Sequence, residues 1–207
     1  MSKKYLVSIL IPTLIERRDV FNKLIDNIHT QIKDNRLEDL VEIISICDNR
    51  NIKLSEKRNR AQQMAQGKYF FHLDDDDSIA DDYCKTVCDC IKKIDPKKYP
   101  DVITYDQFCK VNGNRFIVTA DLKERFTLRP VDLQNNIQSF TRVPWQYHLW
   151  RTEKYAKIWR TDSDTNARED QNWLKKIYLE YPKSQHHIKK ILHTYNFGSD
   201  GVETTCQ

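Results

Sequence analysis

Four short, nearly unbroken apolar runs punctuate the first half of this chain, at residues 5–12, 40–47, 69–73 and 101–108. A strand covered on both faces reads as a continuous apolar run, whereas a half-solvated one alternates. Between the runs the period changes. Phe21, Leu24, Ile25, Ile28 and Ile32 fall on one face of a helix spanning residues 20–32. Residues 55–66 predict a polar helix, with Ser55 as N-cap and Gly67 as C-cap. Residues 83–94 predict another, closed off before Pro96. Strands alternating with helices predict an α/β fold whose mostly parallel central sheet is flanked by helices. A length of 207 residues suits a single domain with its own core.

The second half carries a weaker pattern. Residues 115–119 predict a short strand that returns through a turn at Asn112-Gly113-Asn114. A loop-rich aromatic stretch follows, from Phe126 and Phe140 to Trp145, Tyr147, Trp150, Tyr155 and Trp159. Residues 169–181 then predict a helix and residues 188–195 a strand.

Open α/β sheets bind ligands outside the carboxyl ends of their strands. Three of those ends are polar here: Thr13 and Glu16 after the first run, Asp48 after the second, Asp74 to Asp77 after the third. The last is the sharpest. An apolar run, Tyr69-Phe-Phe-His-Leu73, stops in four consecutive carboxylates, whose mutual repulsion only a bound cation or solvent relieves. A solvated acidic turn is the plain reading, and a hard-metal site at the mouth of a sheet is the functional one. In an extended or turning segment Asp74 and Asp76 point to the same side and converge on one cation. Such a pair suits Mg²⁺ or Mn²⁺, ions that keep positions open for phosphate oxygens. The glycine and terminal glutamate of a calcium loop are missing. Aspartyl-phosphate chemistry would place its paired aspartates after the first strand rather than the third.

Composition narrows the partners. The net charge of +4 comes with scattered basic residues, so nucleic acid is not expected. No apolar run approaches the roughly 20 residues needed to span a membrane. The N-terminal run passes into Glu16, Arg17, Arg18 and Asp19 without a small-residue cleavage site, so it reads as a first strand rather than a secretion signal. The six cysteines show neither a Cys-x-x-Cys pair nor a metal-finger spacing. Cys84 and Cys88 share a helix face as small hydrophobes, and reduced thiols in the cytoplasm are expected.

Read together, the motifs Ser8-Ile-Leu-Ile-Pro-Thr13, Lys57-Arg58-Asn59, Ala65-Gln-Gly67-Lys-Tyr69, Leu73-Asp-Asp-Asp-Asp77 and Arg168-Glu169-Asp170-Gln-Asn-Trp173-Leu174 resemble the family 2 glycosyltransferases. These are inverting enzymes of the Rossmann-like GT-A fold. The resemblance covers residues 5 to 175, and each motif is only moderately specific alone. It implies a nucleotide-sugar-binding half over residues 1–110 and an acceptor-binding half over residues 111–207. The lysine-, isoleucine- and asparagine-rich composition also resembles the small glycosyltransferases of giant DNA viruses, which would place the enzyme in host cytoplasm.

The resemblance further implies roles. Asp76 is the metal ligand, with Asp74 at the ribose or a metal-bound water; the register is open by one, so Asp75 or Asp77 can share either task. Thr13 and Glu16 line the nucleoside pocket, and Asp48 recognises the base, although an Asx turn explains it as simply. Arg58 neutralises phosphate or orients the base, Lys57 stands where the family has alanine, and Asn59 holds the loop. Asp170 is the general base at a helix start, with Glu169 as its neighbour or substitute. Trp145, Tyr147 and Trp150 face the acceptor, and His193 completes the metal shell. The expected reaction is metal-dependent transfer, with Mn²⁺ or Mg²⁺, from a nucleotide-diphosphate sugar (UDP-sugar first) to a hydroxyl acceptor such as a glycan. A nucleotidyltransferase would want a glycine-rich basic loop after the first strand, and Ile11 to Arg18 has no glycine. A non-catalytic sugar- or partner-binding domain would be expected to lose Asp74 to Asp77 or Asp170.

Overall fold

A computed structural model describes residues 5–111, 114–124, 126–128, 137–160 and 169–197. The first run forms strand β1 (Tyr5–Leu14), buried without a break from Val7 to Thr13. It lies between β2 (Val41–Asp48) and β3 (Gly67–His72), parallel to both. Side chains on a strand alternate between faces, and β1 divides its core accordingly. Val7, Ile9 and Ile11 pack with Leu24, Ile28 and Ile32 of α1 (Arg18–Asp34) and with Tyr83, Val87 and Ile91 of α3 (Tyr83–Lys93). Leu10 faces the other way, toward Ala61 of α2 (Leu54–Met64) and toward Trp173 and Ile177 of α5 (Glu169–Leu179). A sheet covered on both faces is what the continuous run required. β2 closes one end of the strand order and is less buried, leaving Ser45 and Cys47 exposed.

Two of the expected caps are different in the structure. The helix α2 begins at Leu54 with Lys53 in the cap position and no side-chain cap, so Ser55 sits buried inside its first turn. Gly67 does not cap α2 but opens β3. A Cβ there would lie 2.6 Å from both the amide nitrogen and Oγ of Ser8, so only glycine lets β3 approach β1 this closely.

The aromatic stretch is less loop-like than its sequence. It contributes β7 (Phe126–Leu128), β8 (Ile137–Arg142), the short β9 (Leu149–Arg151) and α4 (Thr152–Tyr155). β9 is antiparallel and inserts between β3 and β5 (Val102–Val111), pairing Phe70 with Trp150 and Trp150 with Val102. β5 and β6 (Asn114–Ala120) form the expected antiparallel pair, although turn residues 112 and 113 lie outside the described residues. β6 runs parallel to β8, and β10 (Gln185–Phe197) runs parallel to β5 along its whole length. Because β10 fills one edge of β5, β9 and β6 must share the other, and the sheet forks there. One branch returns to β3 and the other leads through β6 and β8 to β7.

The long pairings are parallel and most antiparallel ones short, giving a single α/β domain with a mostly parallel central sheet flanked by helices. Among the described residues no helix is long and apolar enough to cross a membrane. Cys84 and Cys88 are fully buried on α3, where burial pushes both thiols up to about 12. Cys206 lies outside the described residues.

Candidate active site

The carboxyl ends of β1 and β3 open into a cavity of about 890 Å³, walled on its far side by β5, β6 and β8. After β3 the amide of Leu73 still donates to Leu10 (3.0 Å), and then the chain turns, the amide of Asp77 donating to the carbonyl of Asp74 (3.1 Å). Short β4 (Ser78–Ile79) then pairs with β10, bringing Ser78 and Ile79 opposite Thr194 and His193. All four aspartates therefore sit on a turn at the cavity, each with different neighbours.

Asp75 accepts from Thr13 Oγ1 (2.7 Å) and from Arg17 through both Nε (2.9 Å) and Nη2 (2.7 Å). Arg17 also reaches Asp76 at 3.0 Å. Asp74 takes one arm of Arg58, whose other arm pairs with Glu169. Asp77 lies 3.0 Å from His193 Nε2. Burial raises the Asp76 carboxyl and the charge of Asp74 adds to the rise, against the pull of Arg17. Burial raises Asp77 as well, His193 opposing and Asp74 and Asp76 reinforcing.

His193 is held from two sides. Its Nδ1 is hydrogen-bonded to Gln107 Nε2 (2.8 Å), and Tyr147 stacks on its ring at 4.7 Å with planes 4° apart. Asp77 Oδ1 is buried without a hydrogen-bond partner, while Oδ2 meets His193 Nε2 at 3.0 Å. Among the described residues no three His, Cys, Asp or Glu side chains already surround one point. Asp77, with one oxygen unpaired among crowded carboxylates, and His193 beside it are the residues that could start a divalent cation's shell. That favours Asp77 over Asp76 as the partner of His193.

Asp170 lines the same cavity from the start of α5. Its Oδ1 accepts from the Gln171 amide (2.6 Å) and its Oδ2 from the Trp145 indole (3.2 Å). Glu169, in contrast, is 2% exposed, with one oxygen on Arg58 and the other on Arg160 (2.7 Å). It is the keystone of a buried ion-pair cluster on the cavity wall. Arg168 lies outside the described residues.

Several other expectations are corrected. Glu16 is exposed, pairs with Arg50 and does not line the cavity. Asp48 does not line it either: Oδ1 is bound by Lys57 Nζ (2.6 Å) and Oδ2 by the Ile52 amide four residues on (2.7 Å), so both oxygens are taken. Lys57 lines the cavity, and its Nζ also donates to the Thr13 carbonyl (2.9 Å), tying β1 to β2. Asn59 exchanges two hydrogen bonds with the backbone of Arg160 (2.9 and 2.7 Å), holding that segment in place outside the cavity wall. Trp150 is fully buried against Phe70 and Trp173 and cannot meet an acceptor. Tyr147 lines the cavity but is mainly the stacking partner of His193. Trp145 is half-buried on the wall beside Asp170. His148 is structural, its ring bonded to the backbone of Trp145 and Tyr105 and burial lowering it to about 3.

Sequence reasoning missed Arg17, Gln107 and Arg142. Arg17 ends a short 3₁₀ turn, Ile15–Arg17, that points it inward while Glu16 and Arg18 face solvent. Gln107 and Arg142 come from strands, where no local motif marks them.

No family model matches the sequence, nor does any curated protein. Among solved structures, S. aureus TarS 1–349 in complex with UDP-GlcNAc superposes with a TM-score of 0.59 at 17% identity, covering 92% of this chain and 58% of that one. The TarS 1–349 complex with UDP gives 0.60 at 17% identity, over 92% and 60%. TarS itself gives 0.57 over 36% of its length. This chain thus spans about three fifths of the TarS 1–349 structures. The likeness shows a shared fold.

Proposed function

We propose that this chain is an inverting glycosyltransferase domain of the family 2 type, moving a sugar from a nucleotide-diphosphate donor, UDP-sugar first, to a hydroxyl acceptor. One observation carries the reading: Asp74 to Asp77 and Asp170, far apart in sequence, line one cavity at the carboxyl ends of the strands. The same fold holds UDP-GlcNAc and UDP in TarS, which supports a uridine diphosphate leaving group here. Leu14 and the loop from Arg50 to Leu54 line the end of the cavity beside β1 and β2. That loop takes over the nucleoside contacts first assigned to Glu16 and Asp48.

Asp77, His193 and Asp76 would hold Mn²⁺ or Mg²⁺, which would spread the negative charge that develops on the departing diphosphate. Arg17 neutralises the acidic turn without a ligand and stands beside any diphosphate that enters. Asp170 removes the proton of the acceptor hydroxyl as that oxygen attacks from the face opposite the leaving group. Its two hydrogen bonds fix the carboxylate toward the cavity. Arg58 and Arg160, pinned by Glu169, keep α5 and its Asp170 registered against the acidic turn. The exposed, unpaired thiol of Cys47 suits a reducing compartment, and we place the activity in the cytoplasm.

A thermal-shift series with UDP and UDP-sugars, with and without Mn²⁺, tests this. A nucleotide at 100 times its Kd stabilises by about 2.7 kcal/mol, and the shift is expected to need the metal. If no uridine nucleotide raises Tm and no sugar nucleotide is turned over, the reading fails.

A further inference from the structure

One wall of the cavity is not used by the donor chemistry, and its register shows what it is built for. Gln107 on β5 pairs with Val118 on β6, and Cys109 with Phe116. Val118 in turn pairs with Phe140 on β8, and Ala120 with Arg142. Directly paired residues and those two apart share a face, so Gln107, Cys109, Phe116, Val118, Phe140 and Arg142 form one continuous surface, and each lines the cavity. That surface is apolar except at two points. Gln107 is engaged with His193. Arg142 is not engaged with any acid: its guanidinium lies over the Trp145 ring at 3.8 Å, and among the described residues it enters no ion pair. The groups that feel its charge are Cys109, Tyr147, His148 and Tyr178, which are neutral.

Two further atoms on the acceptor side point to a ligand. Tyr147 Oη and Gln146 Oε1 are buried without a hydrogen-bond partner, on side chains 7% and 6% exposed that line this cavity. Buried polar atoms seldom go unpaired. An arginine stacked on an aromatic face keeps its in-plane donors free for a carboxylate or phosphate. Trp145 itself donates to Asp170, so the free cation stands one side chain from the proposed base.

We propose that the acceptor is an anionic molecule with an apolar flank: its carboxylate or phosphate is taken by Arg142 near the reacting hydroxyl, and its apolar face lies on Phe116, Val118 and Phe140. This rests on the glycosyltransferase reading for the position of the reaction, and it names the acceptor class that reading leaves open. Phe116 and Phe140 meet edge to face at 6.1 Å, leaving a paired aromatic surface for an aryl or alkyl group.

Four probes separate the two features: the p-nitrophenyl and methyl β-glucosides and the corresponding β-glucuronides, titrated calorimetrically into the protein with and without UDP and Mn²⁺. The expected order puts p-nitrophenyl glucuronide first, at least tenfold tighter than p-nitrophenyl glucoside. Arg142→Gln should erase the preference for charge, Arg142→Lys should keep part of it, and Phe116→Ala should erase the preference for the aryl group. Equal binding of charged and neutral probes by the unaltered protein overturns the proposal, as does binding of none of the four. UDP-glucuronic acid compared with UDP-glucose forms the second arm. A charge preference that appears only there assigns Arg142 to the donor sugar and also overturns it. UDP binding on the same samples keeps the two readings apart: if UDP binds and the probes do not discriminate, the acceptor inference alone falls.

Discussion

Asp101 and Asp77 are almost equally buried, at 3% and 8% exposure, yet they are opposite kinds of carboxylate. Asp101 sits where β5 begins, and every side of it is used. One oxygen accepts from Lys154 Nζ, the other from the amides of Lys183 (2.7 Å) and Ser184 (3.2 Å). Burial alone would raise this carboxyl, but Lys154 and the two amides outweigh it and hold it low. Asp77 has one oxygen near His193 and the other unpaired, and burial with neighbouring charge drives it up. A satisfied buried acid joins α4, β5 and the start of β10 into one unit. An unsatisfied one keeps its binding capacity for something that arrives from outside.

If that contrast is right, substitutions at the two regions should separate stability from chemistry. The largest effect belongs to the cavity. Asp170→Asn keeps the shape of the side chain and one of its two acceptors, for Gln171 or Trp145, but removes the base, so sugar transfer should fall by roughly 10²–10⁴-fold while UDP binding and Tm stay nearly unchanged. Transfer that persists would move the base elsewhere. Asp101→Ala should do the reverse. It should cost about 2–3 kcal/mol in urea unfolding, since charge-assisted bonds to Lys154 and two amides go at once, while UDP affinity is kept. Smaller again is Asp77→Asn. Removing one charge from a crowded turn should leave the unfolding free energy of the metal-free protein unchanged or raised, by about 1 kcal/mol at most. The extra stabilisation by Mn²⁺ with UDP should vanish. A metal response that survives in Asp77→Asn would break the contrast at its centre.

The same distinction explains which parts of the molecule were legible in the sequence. β1 and β3 were plain because a strand buried on both faces cannot help showing a continuous apolar run. β9 was not, because three residues carry no period and its Trp150 looks like any aromatic loop residue until β3 and β5 close around it. β8 hides for another reason: Gln138, Ser139 and Thr141 dilute an apolar pattern on a strand buried only in part. Among the site residues, Asp74 to Asp77 stood out since four adjacent carboxylates are costly anywhere. Asp170 stood out by its place at a helix start. Asp48 ends a strand just as suggestively, but its fate depends on Lys57, nine residues on in α2, whose inward turn the polar pattern of that helix does not reveal. Arg17 was hidden among charged neighbours, and only the short turn at Ile15 decides that it, and not Arg18, faces Asp75.

The smallest effect sharpens the contrast from the satisfied side. Asp101 has a folded value below its unfolded one. Linkage then fixes the sign: its contribution is complete above the unfolded carboxylate value, near 3.9, and is lost as pH falls through the lower folded value. Stability of the protein should therefore dip below about pH 4, over and above the general acid loss from its other carboxylates. Asp101→Asn retains an oxygen for the Lys183 and Ser184 amides but has nothing to protonate, so it starts less stable and descends less steeply. Urea midpoints at pH 7, 5, 4 and 3 for the two proteins check this. Parallel curves would mean that neither Lys154, itself 47% exposed and screened by solvent, nor the two amides hold the carboxyl low. Asp101 would then differ from Asp77 in its hydrogen-bond partners and not in its titration.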